Sequence, residues 1–484
     1  MGVAAVSASI STPKAFNNIF ATSITQRLAH PITLTPLWPP TKPNNYASNP
    51  ISRNHTFPSL TCCSTKPDTN TNNGTTQNSS IGSNPSSNSQ NLAAPISSNS
   101  LSSSFPSPSS SRGLVFDLGP IDSWDSKEIG SPVVKRFLSD EEERWYMWYH
   151  GNSSEKNSGL DSIGLAVSSN GIHWERGIEA VKSSGDVGLV MNCCQDWWAF
   201  DTISIRPSEV VVMSSNKVRA SNAVYWLYYS GFSSEKVDFV NDDSLDFNVE
   251  NPEKFCFGNE NSDDGRNIFK SLPGLAISQD GRHWARIEGE HHSGALFDVG
   301  SECEWDSLFI ASPQVVFHGN GDLRMYYHSF DMENGQFGIG IARSRDGIKW
   351  VKLGKIMGGG KSGSFDEFGV MNASVVKSKK DGKYVMAYEG VASDGKRSIG
   401  LAVSPDGLKD WRRFQDGEVL KPSEKDGWDN RGVGSPCLVQ MEGDVDEWRL
   451  YYRGVSNEGR TGIGMAFCVG NDVSSFTRWT GFQL

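Results

Sequence analysis

From about residue 113 onward, short runs of alternating apolar and polar residues are separated by glycines and Asp-Gly pairs, and the pattern restarts about every 60 residues. Five starts are legible: SWDSKEIGSPVVKR from Ser123, AFDTISIRPSEVVV from Ala199, EWDSLFIASPQVVF from Glu304, SFDEFGVMNASVVK from Ser364 and GWDNRGVGSPCLVQ from Gly427. Self-similarity at that period marks a repeat architecture.

In the third repeat the order is Trp305-Asp306, Ser312-Pro313-Gln314-Val315-Val316, Arg324-Met325-Tyr326-Tyr327, Gly338-Ile339-Gly340-Ile341-Ala342, and then a Ser344-Arg345-Asp346-Gly347 turn leading to Trp350. Runs this short, rich in β-branched and aromatic residues and broken by Gly, predict strands and hairpins, not helices. Asn170-Gly171, Asp280-Gly281, Asp346-Gly347 and Asp406-Gly407 fit type I′ turns, which need positive φ at both central residues. Trp174, Trp284, Trp350 and Trp411 are expected to pack the outer strand. A fourth strand is expected in LFDVG (296–300), and its counterpart LVFDLG (114–119) stands before the first repeat. That offset predicts that the N-terminal strand completes the last repeat. The expected fold class is therefore all-β: a five-bladed β-propeller of four-stranded blades over residues 113–484, its ring closed by an N-terminal strand. The second repeat carries an Asp- and Glu-rich insertion near 232–270, expected to be a solvated flap, or else a lid or an ion site.

Composition divides the chain unevenly. Residues 1–67 hold Lys14, Arg27, Lys42, Arg53 and Lys66 with no Asp or Glu, the make-up of an organelle transit peptide. Ser interrupts the apolar start too often for a secretory signal, and Val6 stands where a myristoylation motif asks for Ser or Thr. The Ser-rich, Arg-poor leader points to the chloroplast, with the stroma as the expected location. Residues 68–112 are rich in Ser and Asn and nearly uncharged, which predicts a disordered linker. The whole chain carries −11 and residues 1–112 carry +5, which leaves −11 − 5 = −16 on the remainder, so nucleic acid and anionic membrane are poor partners. No run is apolar enough to span a bilayer. The eight cysteines show neither CxxC spacing nor recurrence with the repeat, which suggests no zinc site and no disulfide framework. None of the nine histidines sits in a ligand motif, so no metal or cofactor is expected.

With five repeats, an N-terminal closing strand and WDS…P…YYxG segments, residues 113–484 resemble the five-bladed glycosidase superfamily that includes arabinanases, β-xylosidases, levansucrases and invertases. The resemblance implies carboxylates in a funnel at one end of the central channel. One would protonate the leaving oxygen and another would attack the anomeric carbon or activate water. It also implies an Asp directly before Pro on an innermost strand, with further acids on later inner strands. The matching positions here are Ser131, Arg206, Ser312, Asn372 and Ser435, and none is a carboxylate.

Asp125, Asp201, Asp306, Asp366 and Asp429 recur in every repeat, so a structural role in a turn is expected of them. Positions that differ between repeats carry more functional information. After the aromatic strand the repeats read Tyr149-His150-Gly151, Tyr229-Ser230-Gly231, Tyr327-His328-Ser329, Tyr388-Glu389-Gly390 and Tyr452-Arg453-Gly454. Glu389 is the leading candidate for a general acid or base, with His150 or His328 as titrating partner. Arg206 and Arg453 suit an anionic group, and Asn372 with Ser131, Ser312 and Ser435 would line the same polar funnel; Glu128 and Glu367 are secondary candidates. Two functions fit: a glycoside hydrolase or glycosyl-transferring enzyme acting on a plastid carbohydrate, or a catalytically silent propeller that binds a sugar, a sugar phosphate or a protein through that rim.

Overall fold

The computed structural model describes residues 111–138, 143–153, 161–177, 186–213, 224–238, 248–251, 254–256, 267–319, 321–443, 446–470 and 473–481. The expected leader and nearly all of the expected linker lie outside these residues, as do most acidic residues of the insertion. Among the described residues the fold is all-β, and no helix is long and apolar enough to cross a membrane.

A short strand β1 (Leu114–Phe116) precedes five antiparallel groups. The first comprises β2 (Glu128–Leu138), β3 (Glu143–Asn152), β4 (Ser162–Ser168) and β5 (Glu175–Arg176), with β6 (Leu189–Met191) also on β4. The second comprises β7 (Ser204–Val212), β8 (Tyr225–Asp238), β11 (Asn267–Ser278) and β12 (Ala285–Ile287), while β9 (Asn248–Asn251) and β10 (Lys254–Cys256) pair within the insertion. The third is β13 (Ala311–Gly319), β14 (Asp322–Asp331), β15 (Gln336–Ser344) and β16 (Trp350–Met357). The fourth is β17 (Gly369–Lys377), β18 (Tyr384–Val391), β19 (Arg397–Ser404) and β20 (Arg412–Arg413). The fifth is β21 (Gly432–Gln440), β22 (Glu447–Val455), β23 (Thr461–Val469) and β24 (Thr477–Arg478), and β1 also pairs with β23. The first strands of the groups neighbour one another in cyclic order: β2 with β7, β7 with β13, β13 with β17, β17 with β21, and β21 with β2.

The repeated sequence features account for this regularity. Each aromatic-Asp carboxylate is buried and accepts the hydroxyl proton of the Tyr on its own second strand: Tyr149 to Asp125 at 2.9 Å, Tyr229 to Asp201 at 3.0 Å, Tyr327 to Asp306 at 2.9 Å, Tyr388 to Asp366 at 3.0 Å and Tyr452 to Asp429 at 3.0 Å. Arg176, Arg286, Arg413 and Arg478, or Lys352 in the third group, reach the same carboxylates from the fourth strand. Burial, reinforced by the adjacent Asp, holds all five Tyr hydroxyls well above their ordinary value, so they stay donors. The glycine after the variable residue is needed for space: a Cβ on Gly151 would lie 2.7 Å from the Trp124 ring, and one on Gly454 would lie 2.3 Å from Trp428.

Neighbouring groups are stapled through the Ser-x-Asp-Gly loops. Trp148 Nε1 donates to the Gly281 carbonyl, Tyr228 to Gly347, Tyr326 to Gly407 and Tyr451 to Gly171, so the last group reaches the first. Trp174, Trp284, Trp350 and Trp411 pack edge-on against Tyr451, Trp148, Tyr228 and Tyr326 of adjacent groups. A second belt joins the inner strands directly: Lys135 pairs with Glu209 at 2.5 Å, Gln314 donates to Glu209 at 2.7 Å, Leu438 N donates to Ser374 Oγ at 3.0 Å and Val134 N to Cys437 Sγ at 3.3 Å. Burial pushes the Cys437 thiol up to about 11, so it stays an uncharged acceptor.

Three expectations need correction, and one gains detail. The loops are not type I′ turns, because only Gly171, Gly281, Gly347 and Gly407 have positive φ. The preceding Asn or Asp instead caps the loop; Asp280 Oδ1, for example, accepts the amide protons of Arg282 and His283 at 2.8 and 2.9 Å. The fourth strand is the segment just after the Trp turn, and LFDVG forms no strand. Four of those five edges are only two or three residues long, which limits the unpaired backbone each presents. The insertion is β-ladder at both ends, since Asn267–Phe269 of β11 pair with Lys236–Asp238 of β8. Finally, Arg206 is one residue out of register with the other pre-Pro positions. It pairs with Ser230, as Gly130 pairs with His150 and Ala311 with His328. The residue equivalent to Ser131 and Ser312 is Pro207, because the second group's ladder shifts later, between Pro207 and Glu209.

Candidate functional site

Ladder register shifts at the same level of every inner strand: between Gly130 and Val133, Pro207 and Glu209, Ala311 and Gln314, Met371 and Ser374, and Gly434 and Cys437. Residues at these bulges gather around one small cavity. Four of these residues are in the left-handed region without being glycine: Ser131 at φ 45°, Ser312 at 50°, Asn372 at 49° and Ser435 at 44°. Each such backbone costs about 1–3 kcal/mol, and it persists only where the surroundings impose it. Together with Pro207 and Ser208 they line an axial cavity of about 30 Å³, which has room for water but not for a sugar ring. Ser312 Oγ donates to Asn372 Oδ1 at 2.6 Å within it.

The variable second-strand residues do not rim an open funnel. His150, Ser230, His328 and Glu389 are buried and Arg453 is half-buried, and three of them reach sideways to the next inner strand. Ser230 Oγ accepts the Ser312 amide at 2.8 Å, His328 Nδ1 accepts the Asn372 amide at 3.3 Å, and Glu389 Oε2 accepts the Ser435 amide at 2.8 Å. Each therefore fixes the strained residue of the following group. Glu389 is saturated: Asn372 Nδ2 donates to Oε2 at 2.8 Å and Arg397 pairs with Oε1 at 2.8 Å. Gly434 makes room for that carboxylate, since a Cβ there would stand 2.2 Å from Oε2.

Two further ion pairs complete the site. Arg453 of the last group donates to Glu128 of the first at 2.8 Å. Arg206, 1% exposed, holds Asp161 through Nε at 2.7 Å, and Ser204 Oγ donates to the same oxygen at 2.7 Å. His150 lies between these pairs. Its Nε2 stands 3.7 Å from Glu128, and neither ring nitrogen makes a hydrogen bond of normal length. Burial, and then the charge of Arg206, lowers its pKa below the ordinary 6.5, against the opposing pull of Glu128. Glu367 takes no part in this network; it is half-buried and accepts the Gly363 amide at 2.9 Å.

A pH dependence follows from the buried imidazole. The unfolded chain takes a proton that folded His150 resists, so this contribution is full above about pH 6.5 and declines as pH falls below it. Urea midpoints measured at about pH 7.5 and about pH 5.5 are expected to drop more for the wild-type chain than for His150→Gln. The lowered values of His291 and His318 are common to both proteins and cancel in the comparison.

The structure thus brings together Ser131, Ser312, Asn372 and Ser435 around the axis, with His150, His328, Glu389 and Arg453 behind them. It sends Arg206 away from the axis, to Asp161. Asp161 and Arg397 were missed as site residues, although a signal exists: they are the residues before Ser-Ile-Gly-Leu-Ala-Val at 162–167 and 398–403. The equivalent ladder positions are Ser271, Phe337 and Thr461, so this level also differs from group to group. Among the described residues no group of three or more His, Cys, Asp and Glu is arranged to hold a metal ion.

No protein-family model matches the chain. An uncharacterised protein of Mycobacterium tuberculosis is 29% identical over 210 residues, which cover 41% of this chain and 61% of that relative. Among solved structures, BT0996 in its RGII complex superposes with a TM-score of 0.50 at 16% identity, covering 74% of this protein and 92% of the other. A glycoside hydrolase does so with a TM-score of 0.50 at 15% identity, covering 75% and 93%. At these identities the likeness concerns architecture alone. The chain shares its all-β fold with glycoside hydrolases of propeller type.

Proposed function

We propose that residues 113–484 form a five-bladed β-propeller, its ring completed by the N-terminal strand, that binds a carbohydrate at the axial end without hydrolysing it. The five repeats, the cyclic neighbourhood of the inner strands and the pairing of β1 with β23 support the architecture. The observation that carries the functional reading is the commitment of these carboxylates to cations: Glu389 to Arg397, Glu128 to Arg453, Glu209 to Lys135 and, farther out, Asp161 to Arg206. Glycoside hydrolysis needs one carboxyl that delivers a proton to the leaving oxygen and a second that attacks or activates water. Here the carboxylate oxygens already accept protons from Arg, Asn, Ser and backbone donors. What the site offers a sugar is a polar edge, where Glu128, Arg397 and Arg453 keep 12%, 12% and 13% of their side-chain surface exposed. The acid-free leader supports chloroplast import, the stroma as location and a plastid carbohydrate as ligand.

The test is a screen of the full chain against arabino-, xylo- and fructo-oligosaccharides, following binding and turnover together, beside Glu389→Gln. Saturable binding with no product is the expected result. Turnover by the wild-type chain that disappears in Glu389→Gln would overturn this reading and make the protein a hydrolase with a displaced acid set.

A further inference from the structure

We infer a second carbohydrate site in a cleft beside β1, separate from the axial cavity. The cleft encloses about 660 Å³, within the roughly 300–1,000 Å³ of small-molecule sites, and shares no lining residue with the axial cavity. It lies where Leu114 and Asp117 meet the loop around Trp428 and the turn from Ser456 to Arg460.

One wall is aromatic. Trp428 stacks on Tyr452, with ring centroids 6.0 Å apart, and its Nε1 is fixed by the Arg112 carbonyl at 3.0 Å. The indole is held rigidly yet keeps part of its surface, an arrangement that suits the C–H face of a pyranose or furanose ring. The rest of the lining is mostly polar. The Asn457 amide donates to Asn430 Oδ1 at 2.8 Å, which pins the turn while leaving the exposed Asn457 and Glu458 side chains beside the cleft. Asp426 adds a further acceptor.

Charge selects among ligand classes. Arg460 is paired with Asp117 at 2.7 Å, and Lys425 is outnumbered by Asp426 and Glu458. With no surplus cation the cleft disfavours phosphates and nucleotides. Hydroxyl, amide and carboxylate groups facing one fixed indole match a neutral oligosaccharide, which presents hydroxyls at its edges and C–H bonds on its faces.

The experiment is isothermal titration of the full chain with arabinotriose, xylotriose and maltotriose. Three variants accompany it: Asn457→Ala/Glu458→Ala on the exposed turn, Trp428→Phe, and the axial pair Glu128→Gln/Arg453→Met. The last removes both partners of a buried pair, a change often close to neutral for stability. Two binding sites are the expected result: one whose affinity falls tenfold or more in the turn variant and in Trp428→Phe but holds in the axial variant, and one lost only in the axial variant. Should binding depend only on the axial pair, the cleft site falls and the axial reading stands; dependence on the cleft alone has the converse meaning. Absence of binding by all three trioses overturns the cleft site. The turn variant keeps the test valid if Trp428→Phe fails to fold.

Discussion

Glu389→Ala is expected to cost the fold about 3–5 kcal/mol, because it strands a buried cation and two hydrogen-bond donors at once. Arg397 would lose its partner at 2.8 Å, and the Ser435 amide and Asn372 Nδ2 would lose a shared acceptor, each at 2.8 Å. The two residues left without their brace are also two of the four held at left-handed φ. Replacing both charged partners, in Glu389→Gln/Arg397→Met, should recover most of the loss, since the penalty comes from the unpaired charge and not from the missing attraction. Urea unfolding of the three proteins checks this. A Glu389→Ala chain of undiminished stability would mean that the carboxylate is not the brace its geometry describes.

The second large effect is expected at the recurring Asp. Asp125 is fully buried; it accepts the Ser123 hydroxyl at 2.5 Å, the Tyr149 hydroxyl at 2.9 Å and Arg176 Nε at 2.8 Å. Asp125→Ala leaves all three donors unsatisfied and should also cost about 3–5 kcal/mol. Arg176→Ala should cost less, because Asp125 keeps the Ser123 and Tyr149 hydroxyls and water can enter the space that the partly exposed arginine leaves. Neither change should alter the ligand preference of the axial site, which these groups do not touch. If Asp125→Asn kept full stability but abolished a measured turnover, the aspartate would belong to the chemistry instead.

What the sequence disclosed, and what it hid, has a physical basis. The period was legible because Asp125, Tyr149, Gly151 and their counterparts form one node that each group must build for itself, so the same spacing returns five times. The strand-end positions were also aligned correctly, as the ladder pairs His150, Ser230, His328, Glu389 and Arg453 with equivalent partners. Arg206 was misplaced because a bulge adds a residue without leaving a mark of its own, and Arg-Pro imitates Ser-Pro. The partners Asp161 and Arg397 escaped notice for another reason. Ion pairing across strands depends on where side chains meet in space, which spacing along the chain does not encode. The direction of His328 and Glu389, sideways into the next group, is likewise set by packing between groups.

The pairing of β1 with β23 has a consequence for biogenesis. It joins residues 114–116 to residues 463–464, so the contact spans nearly the whole folded chain and its closure entropy is among the largest in the molecule. Proteins dominated by such non-local pairings fold slowly. During synthesis from the N-terminus, the strand that carries Phe116 emerges among the first folded residues, but its partner emerges among the last. For most of translation this apolar segment has an unpaired edge and must be kept from pairing elsewhere, which makes it the point at which nascent-chain handling decides the yield of folded protein.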